Sequence, residues 1–433
     1  MVNGAYCLFQ EVSEFLSLFI GPLRGASMSS RRLAFVLPRY FEGIAGGAET
    51  LMGSLAQRLR DRGDYVEIWT TCAKDNRTWK NEFAKGATTI DGVTIHRFLV
   101  DERDLDVWIP LQISLHEGHV LSLEDQITWM SESVNSKALY GHISARSRDF
   151  DALFFGPYLF GTTFWGSLID PGRSVLIPCL HDEVYAYQEV VASMFRQVKG
   201  CLFNSEPEMD LAHSIYGAIP GGVVGMGFDL SSATRSGAEA YFSDPSPYIL
   251  YLGRKETGKN VHVLVDYFVE AKERGLIPGG VKLVVLGGGS FSDLHRGEVL
   301  TRGDVIDLPH VSEGDKLRLI SQALYLCQPS TNESFSIVLM EAWMAGVPVV
   351  VHGGCAVTKH HVVDSGGGLY FSSSDDLAAV TGYFLDNPDD RRRHAERGAR
   401  YVRDHYSWEA VLGRFDNVVS AILGDSEAKL NGS

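Results

Sequence analysis

The feature that most constrains this chain is a strand–helix alternation that runs, stops and starts again. From Leu33, short apolar runs alternate with amphipathic stretches: LAFVL (33–37), a helical GGAETLMGSLAQRLRDRG (46–63), YVEIWTT (65–71), VTIHRFLV (93–100), a helix around 122–140, ALFFG (152–156), SVLIPCL (174–180), GCLFNS (200–205) and GGVVG (221–225). Runs that are apolar at nearly every position belong to strands buried on both faces, the pattern of βαβ crossovers and a parallel sheet. Residues 229–247 (DLSSATRSGAEAYFSDPSP) are small, polar and Pro-punctuated, the composition of a linker. The alternation then restarts with YILYLG (248–253), a helix at 260–274, VKLVVLGGG (281–289), VIDLPHV (305–311), a helix at 313–324, LYLCQPS (324–330), a helix at 336–345, PVVVHG (348–353) and GGLYFS (367–372), and helices fill 374–424. A chain of 433 residues is past the size at which one hydrophobic core stops growing. The expected architecture is α/β, with two Rossmann-like domains (31–228 and 247–408), a linker (229–246) and a terminal helix (409–425). Their parallel sheets face each other across a cleft, and ligands of such sheets lie beyond the carboxyl ends of the strands.

Charge narrows the partners. The net charge is −15 and neither half is basic, which argues against a nucleic-acid partner or a standing anionic membrane surface. Six cysteines are scattered singly with no CxxC pair, the usage of reduced thiols in a cytoplasmic protein. HEGH (116–119) lacks the one-turn spacing of a zincin helix and reads as ordinary surface. Residues 1–30 read either as a peripheral, disordered segment or as an upstream start with Met28 opening the natural protein. The second is favoured, because the strand-like pattern begins only at Leu33. FLSLFIGPL (15–23) is too short to span a bilayer, so no stable membrane insertion is expected.

Three stretches carry candidate chemistry. IAGGAET (44–50) follows the first strand and opens a helix, so Gly46 and Gly47 let a ligand approach the backbone and the helix N-terminus. YLGRKETGKN (251–260) sets Arg254 and Lys259 in a strand-to-helix loop, where both are expected to point at the cleft and a diphosphate. QPSTNESFSIVLMEAWMAGVPVVV (328–351) places Glu333 in a turn and Glu341 inside the following helix, among apolar neighbours. A carboxylate so placed needs a partner: a ribose diol, a structural Arg or backbone amides would serve. The free N–H groups from Phe335 through Ser336 and Ile337 to Val338, with the helix dipole, face the same way as the two cations. These groups together describe a site for a nucleoside diphosphate, with no acidic pair resembling a metal clamp and no metal or other cofactor expected.

These motifs resemble those of the retaining glycosyltransferases of family 4, which adopt the GT-B fold. The resemblance covers roughly 32–425 and rests on E-x7-E (Glu333, Glu341), R-x4-K (Arg254, Lys259), the GGAE turn and YSWE (406–409). It implies that Arg254 and Lys259 hold the donor diphosphate, Glu341 the ribose, and Glu333 the hydroxyls of the transferred sugar. LPHVS (308–312), with His310 and Val311, falls where the family lines the nucleobase, and His181 in CLHDE (179–183) would face the sugar from the first domain. The last helix is expected to cross back onto that domain. Pro309 and Ser336 stand where the family often has Gly, and GGCAVTKHH (353–361) lacks the usual Glu after its glycines, which leaves the donor open. The implied partners are a nucleotide-diphosphate sugar and a carbohydrate or glycolipid acceptor, met in the cytoplasm or on transient visits to a membrane surface. A nucleotide-sugar epimerase or a non-catalytic nucleotide-sugar binder would use the same residues.

Overall fold

The computed structural model describes residues 30–43, 46–230 and 240–424. The expectation for residues 1–30 therefore lies almost wholly outside the described residues, as does the middle of the expected linker.

The first lobe is built on an eight-stranded sheet: β1 Arg32–Val36, β2 Tyr65–Thr71, β3 Gly86–Ile90, β4 Val93–Phe98, β5 Ala152–Phe155, β6 Ser174–Leu176, β7 Gly200–Phe203 and β8 Gly221–Val223. Their order is β3-β4-β2-β1-β5-β6-β7-β8, and every pairing is parallel except that of β3 with β4. Helices α1 Gly47–Asp61, α2 Leu105–His116, α3 Leu123–Ser131, α4 Lys137–Arg146, α5 Gly161–Ser167, α6 Glu189–Gln197 and α7 Glu206–Tyr216 cover the two faces. Along β1 the side chains alternate between two cores: Leu33 and Phe35 enter one, Ala34 and Val36 the other, and all four are buried. That two-sided burial is why the strand reads as an unbroken apolar run.

The second lobe has a six-stranded, wholly parallel sheet in the order β11-β10-β9-β12-β13-β14. Its strands are β9 Tyr248–Leu252, β10 Lys282–Leu286, β11 Val305–Leu308, β12 Tyr325–Gln328, β13 Val349–His352 and β14 Gly368–Phe371. Its helices are α8 Val261–Glu273, α9 Glu313–Ser321, α10 Ile337–Met344, α11 Ala356–Ser365, α12 Ser374–Asp386 and α13 Pro388–Tyr406, before a final α14 Trp408–Leu423. In both sheets the chain reverses its winding beside the first strand, between β1 and β5 and between β9 and β12. Such reversals open the crevices in which ligands of parallel sheets bind.

Two crossings join the lobes, and they lie side by side. The Phe228 N–H donates to the Tyr406 carbonyl at 2.8 Å, and Phe228 bridges to Ser407. Gly227 is required there, since a Cβ on it would lie 2.4 Å from the Trp408 ring. Past Ser407, α14 packs on the first lobe. Phe415 meets Phe154 with ring centroids 5.4 Å apart, Asp416 pairs with Arg31 and Arg62, and Arg414 donates to the Val224 carbonyl.

The structure departs from the sequence reading in four places, one of them helix α11, which occupies Ala356–Ser365 where the sequence reads as a loop. The single helix expected around 122–140 is two, because Asn135 donates to the Met130 and Ser131 carbonyls at the end of α3 and Ser136 caps α4. Strand β3 is added, a polar and mostly exposed edge strand (GATTI) without an apolar run to betray it. Helix α2 is added as well. It contains Pro110 and is apolar around most of its circumference, so it shows no clear helical period. Much of that surface is exposed: Leu105, Val107, Ile109 and Ile113 all lie open. No helix among the described residues is long and apolar enough to cross a membrane.

Candidate functional site

The strand-end loops of the two lobes meet at residues 333–336. Ser205, the N-cap of α7, donates from Oγ to the Ser334 carbonyl at 3.0 Å, tying the first lobe to the loop that carries Glu333. Glu333 follows β12, and Lys259 follows β9 on a short 3-10 turn, so the two residues flank the winding reversal of the second sheet. The Lys259 ammonium lies 2.8 Å from Glu333 Oε1, and both groups are largely buried. Asn260, in the left-handed region at φ 57°, donates to the Pro329 carbonyl and fixes the turn against the end of β12.

The neighbouring cations behave differently. Arg254 is 57% exposed and paired with Glu256 at 3.0 Å, so in this state it does not join Lys259 at the cleft as the sequence reading expects. Lys255, which that reading passed over, is almost fully buried. Its ammonium donates to the Gly287 and Leu308 carbonyls and pairs with Asp307, clamping the loops after β9, β10 and β11 together. Adjacent side chains of an extended loop point opposite ways, and only the fold decides which one turns inward.

Glu341 has a partner that the sequence reading did not consider. Lys316 of α9 lies 3.0 Å from its Oε1, in place of the Arg or backbone amides anticipated. Lys316 also pairs with Glu313 at 2.8 Å, so its charge is shared. Burial alone would lower the Lys316 pKa, but the Glu341 and Glu313 charges outweigh it and hold the ammonium above its ordinary range.

At the start of α10, Ser336 is buried with φ 74°. A side chain at positive φ is strained by about 1 kcal/mol, a cost that Gly would not carry. Ser336→Gly is expected to raise the thermal midpoint by about 2 °C, measured by calorimetry. The Phe335 side chain faces away from the cleft, its ring packing on Phe228, Tyr406 and the fully buried His361 beside the lobe crossings. Ile337 joins the same core from its edge, as does Val311, whereas His310 is exposed beside Gly288.

From the first lobe, His181 Nδ1 lies 3.7 Å from Glu183 Oε1, which also accepts from the Tyr158 hydroxyl at 2.9 Å. Burial tends to raise the Glu183 pKa. The nearby His181 ring, the Tyr158 hydrogen bond and the Lys259 charge across the cleft prevail and hold it below the usual carboxylate range. Glu183 was missed in sequence, where nothing marks it as facing a lysine from the other lobe. Gly46 caps α1 with the Glu49 carboxylate folded against it, where a Cβ would clash, and Glu49 pairs with Arg39 at 2.8 Å. Gly47 faces open space. Ile44 and Ala45 of the same turn lie outside the described residues.

Comparison with known proteins gives three kinds of likeness. Residues 238–401 match the family model for glycosyl transferases group 1. The structure superposes on Anabaena HepE in complex with UDP and glucose with a TM-score of 0.65 at 15% identity, covering 90% of this chain and 100% of that one. The fold is GT-B. Among curated relatives, the chain is 31% identical over 116 residues to the MMP alpha-(1->4)-mannosyltransferase of Mycolicibacterium hassiacum, covering 25% of this chain and 28% of the relative. It is 29% identical over 187 residues to the phosphatidyl-myo-inositol mannosyltransferase of Mycobacterium tuberculosis, covering 41% and 47%. The matched stretches thus span less than half the length of these relatives. Within the GT-B fold, Lys259, Glu333 and Glu341 all belong to the segment that the family model matches.

Proposed function

We propose that this GT-B chain is a retaining glycosyltransferase of the E-x7-E type, moving a sugar from a nucleotide-diphosphate donor to an acceptor hydroxyl without needing a metal ion. The observation that carries this reading is the Lys259–Glu333 pair at the mouth of α10, where the lobes meet. A donor diphosphate would take over the Lys259 ammonium and the first free N–H groups of α10, releasing Glu333 toward the sugar. Arg254, paired among the described residues with the partly exposed Glu256 and itself 57% exposed, would swing onto the phosphates. Once the donor has drawn them in, charge growing on the departing diphosphate would meet two cations and a helix N-terminus, which would stabilise it. Glu341 would exchange Lys316 for the ribose diol, and the backbone around His310 and Val311 would line the base. His181 would hold the sugar from the first lobe. Lobe closure about the paired crossings at Phe228 and Ser407 would exclude water and limit donor hydrolysis.

The names of the similar proteins fit this reading: one complex holds UDP and glucose, and one relative is named for mannosyl transfer to phosphatidyl-myo-inositol. The exposed apolar face of α2 supports a glycolipid acceptor over a free carbohydrate. Gln112 of α2 donates to the Tyr185 hydroxyl at 2.5 Å, on the turn just after His181 and Glu183, so that face borders the acceptor side of the cleft. The acidic chain is expected to visit neutral membrane surfaces and to need no anionic lipid.

The test is to incubate the protein with nucleotide sugars, with and without a glycolipid extract and in the presence of a chelator. Expected are nucleotide release that depends on acceptor and survives chelation, and a product whose anomeric proton keeps the donor's configuration by NMR. Release without acceptor would point to the epimerase, and absence of release beside intact binding to the silent binder. In parallel, Glu341→Ala should weaken donor affinity roughly 10–100-fold, the loss of a charged hydrogen bond to the ribose. Its thermal midpoint should change little, because Lys316 keeps Glu313. Unchanged affinity by calorimetry would remove Glu341 from the donor site.

A further inference from the structure

Away from the cleft, the first lobe gathers a second set of chemically capable side chains. Glu67 of β2, His96 of β4 and His142 of α4 come from three elements, yet one ligand atom from each lies within 4.8 Å of the other two. The fold forces this convergence. Trp69 and His96 are register partners in the parallel β2–β4 pairing, and Glu67, two residues before Trp69, shares its face of the sheet. Helix α4 lays His142 over them, with ring centroids 5.0 Å from His96, 4.7 Å from Trp69 and 5.0 Å from Phe98. His96 Nε2 lies 3.3 Å from Glu67 Oε2. His142 Nε2 is buried and has no hydrogen-bond partner among the described residues. A buried ring nitrogen without a partner calls for an occupant.

Two imidazoles and one carboxylate are a ligand set for zinc-like ions, leaving one position open to water. Around the set stands a supporting shell. The Tyr65 hydroxyl and the Trp69 indole N–H donate to the two Glu67 oxygens at 2.6 and 2.7 Å, fixing the carboxylate's orientation. The competing cation is Arg146. It reaches Glu67 at 3.2 and 3.3 Å, longer than the roughly 2.7–2.9 Å of a well-made ion pair, and its Nε also serves Asp149. Its guanidinium is partly open to solvent, so it can move onto Asp149 and free a carboxylate lone pair.

We infer that Glu67, His96 and His142 form a binding site for a divalent transition-metal ion of the zinc type, with Arg146 competing for the same carboxylate. The ion would tie β2 and β4 to α4 and brace the edge of the first lobe. It takes no part in the cleft chemistry, because none of its three ligands contacts the site residues there. Closing the ligand atoms to tetrahedral spacing takes side-chain rotations on the order of 1 Å.

The test is a Co2+ titration of the chelator-treated full chain, followed by visible absorption, with Zn2+ and Mg2+ as competitors. Expected are low-coordinate cobalt bands saturating at one equivalent, displaced by Zn2+ and untouched by millimolar Mg2+. His142→Gln should weaken binding by ~10-fold or more, and Arg146→Met should tighten it by ~10-fold, as changes among ligands and their neighbours do. Thermal midpoints without metal establish that both variants are folded. Absence of cobalt bands in the folded wild type would overturn the site. So would binding that is unchanged in both His142→Gln and His96→Gln, since the ion would then lie elsewhere.

Discussion

Replacing Lys259 by alanine is expected to lower kcat by roughly 10²–10³-fold while the protein stays folded. The size follows from where the charge sits. Lys259 is three-quarters buried and held 2.8 Å from Glu333 at the point where Ser205 of the first lobe touches Ser334. On the proposed reading, a donor removed from water at this junction would feel the ammonium in a low-dielectric setting, where one charged hydrogen bond to a developing anion is worth about 2.7–4 kcal/mol. Stability should suffer less, because Glu333 keeps the Gln328 amide and stands at the cleft rather than in a core. Steady-state kinetics on any accepted nucleotide sugar decide the matter, with Lys259→Arg restoring part of the rate. A Lys259→Ala variant within threefold of wild-type kcat would remove the residue from the reaction.

The second large effect is on stability in acid. His361 is fully buried in α11, its Nδ1 3.0 Å from the Tyr401 hydroxyl and its ring edge-on to Phe335 and Tyr406. Burial, reinforced by the charge of His360, pushes its pKa down to about 3. Unfolded, the imidazole titrates near 6.5. Between those values the unfolded chain binds the proton and the folded one does not, so the contribution is complete above about pH 6.5 and lost as pH falls toward 3. At pH 4.5 the loss from this one group is about 2–3 kcal/mol. His361→Phe fits the aromatic surroundings and has no proton to take up. Urea unfolding at pH 7.5 and 4.5 should therefore show a drop smaller by that amount in the variant. An identical drop would mean that His361 is already protonated or exposed in the folded state.

How much of this was legible in the sequence depended on whether the signal was local. Strands such as YVEIWTT and YILYLG, buried on both faces, announce themselves by composition. Glu333 and Glu341 fall in loop and helix as read, because Pro329 and the apolar run after Ser336 mark the boundary. What escaped was set by distant contacts. Lys316 meets Glu341 across 25 residues, Glu183 feels Lys259 from the other lobe, and Lys255 turned inward where its neighbour Arg254 had been expected. Edge strand β3 and helix α2 escaped for a different reason, since an exposed polar strand and a helix apolar on most sides carry no period to detect.

The placement of the donor diphosphate is tested most directly by nucleotide binding to the protein without acceptor. UDP or GDP at about a hundredfold over its Kd should stabilise the wild type by about 2.7 kcal/mol, read as a rise in thermal midpoint. At the same concentration the corresponding monophosphate should do less, and Lys259→Ala and Glu341→Ala should each lose about half of the rise or more. Full stabilisation by the diphosphate in both variants would contradict a site built on Lys259, the α10 N-terminus and Glu341.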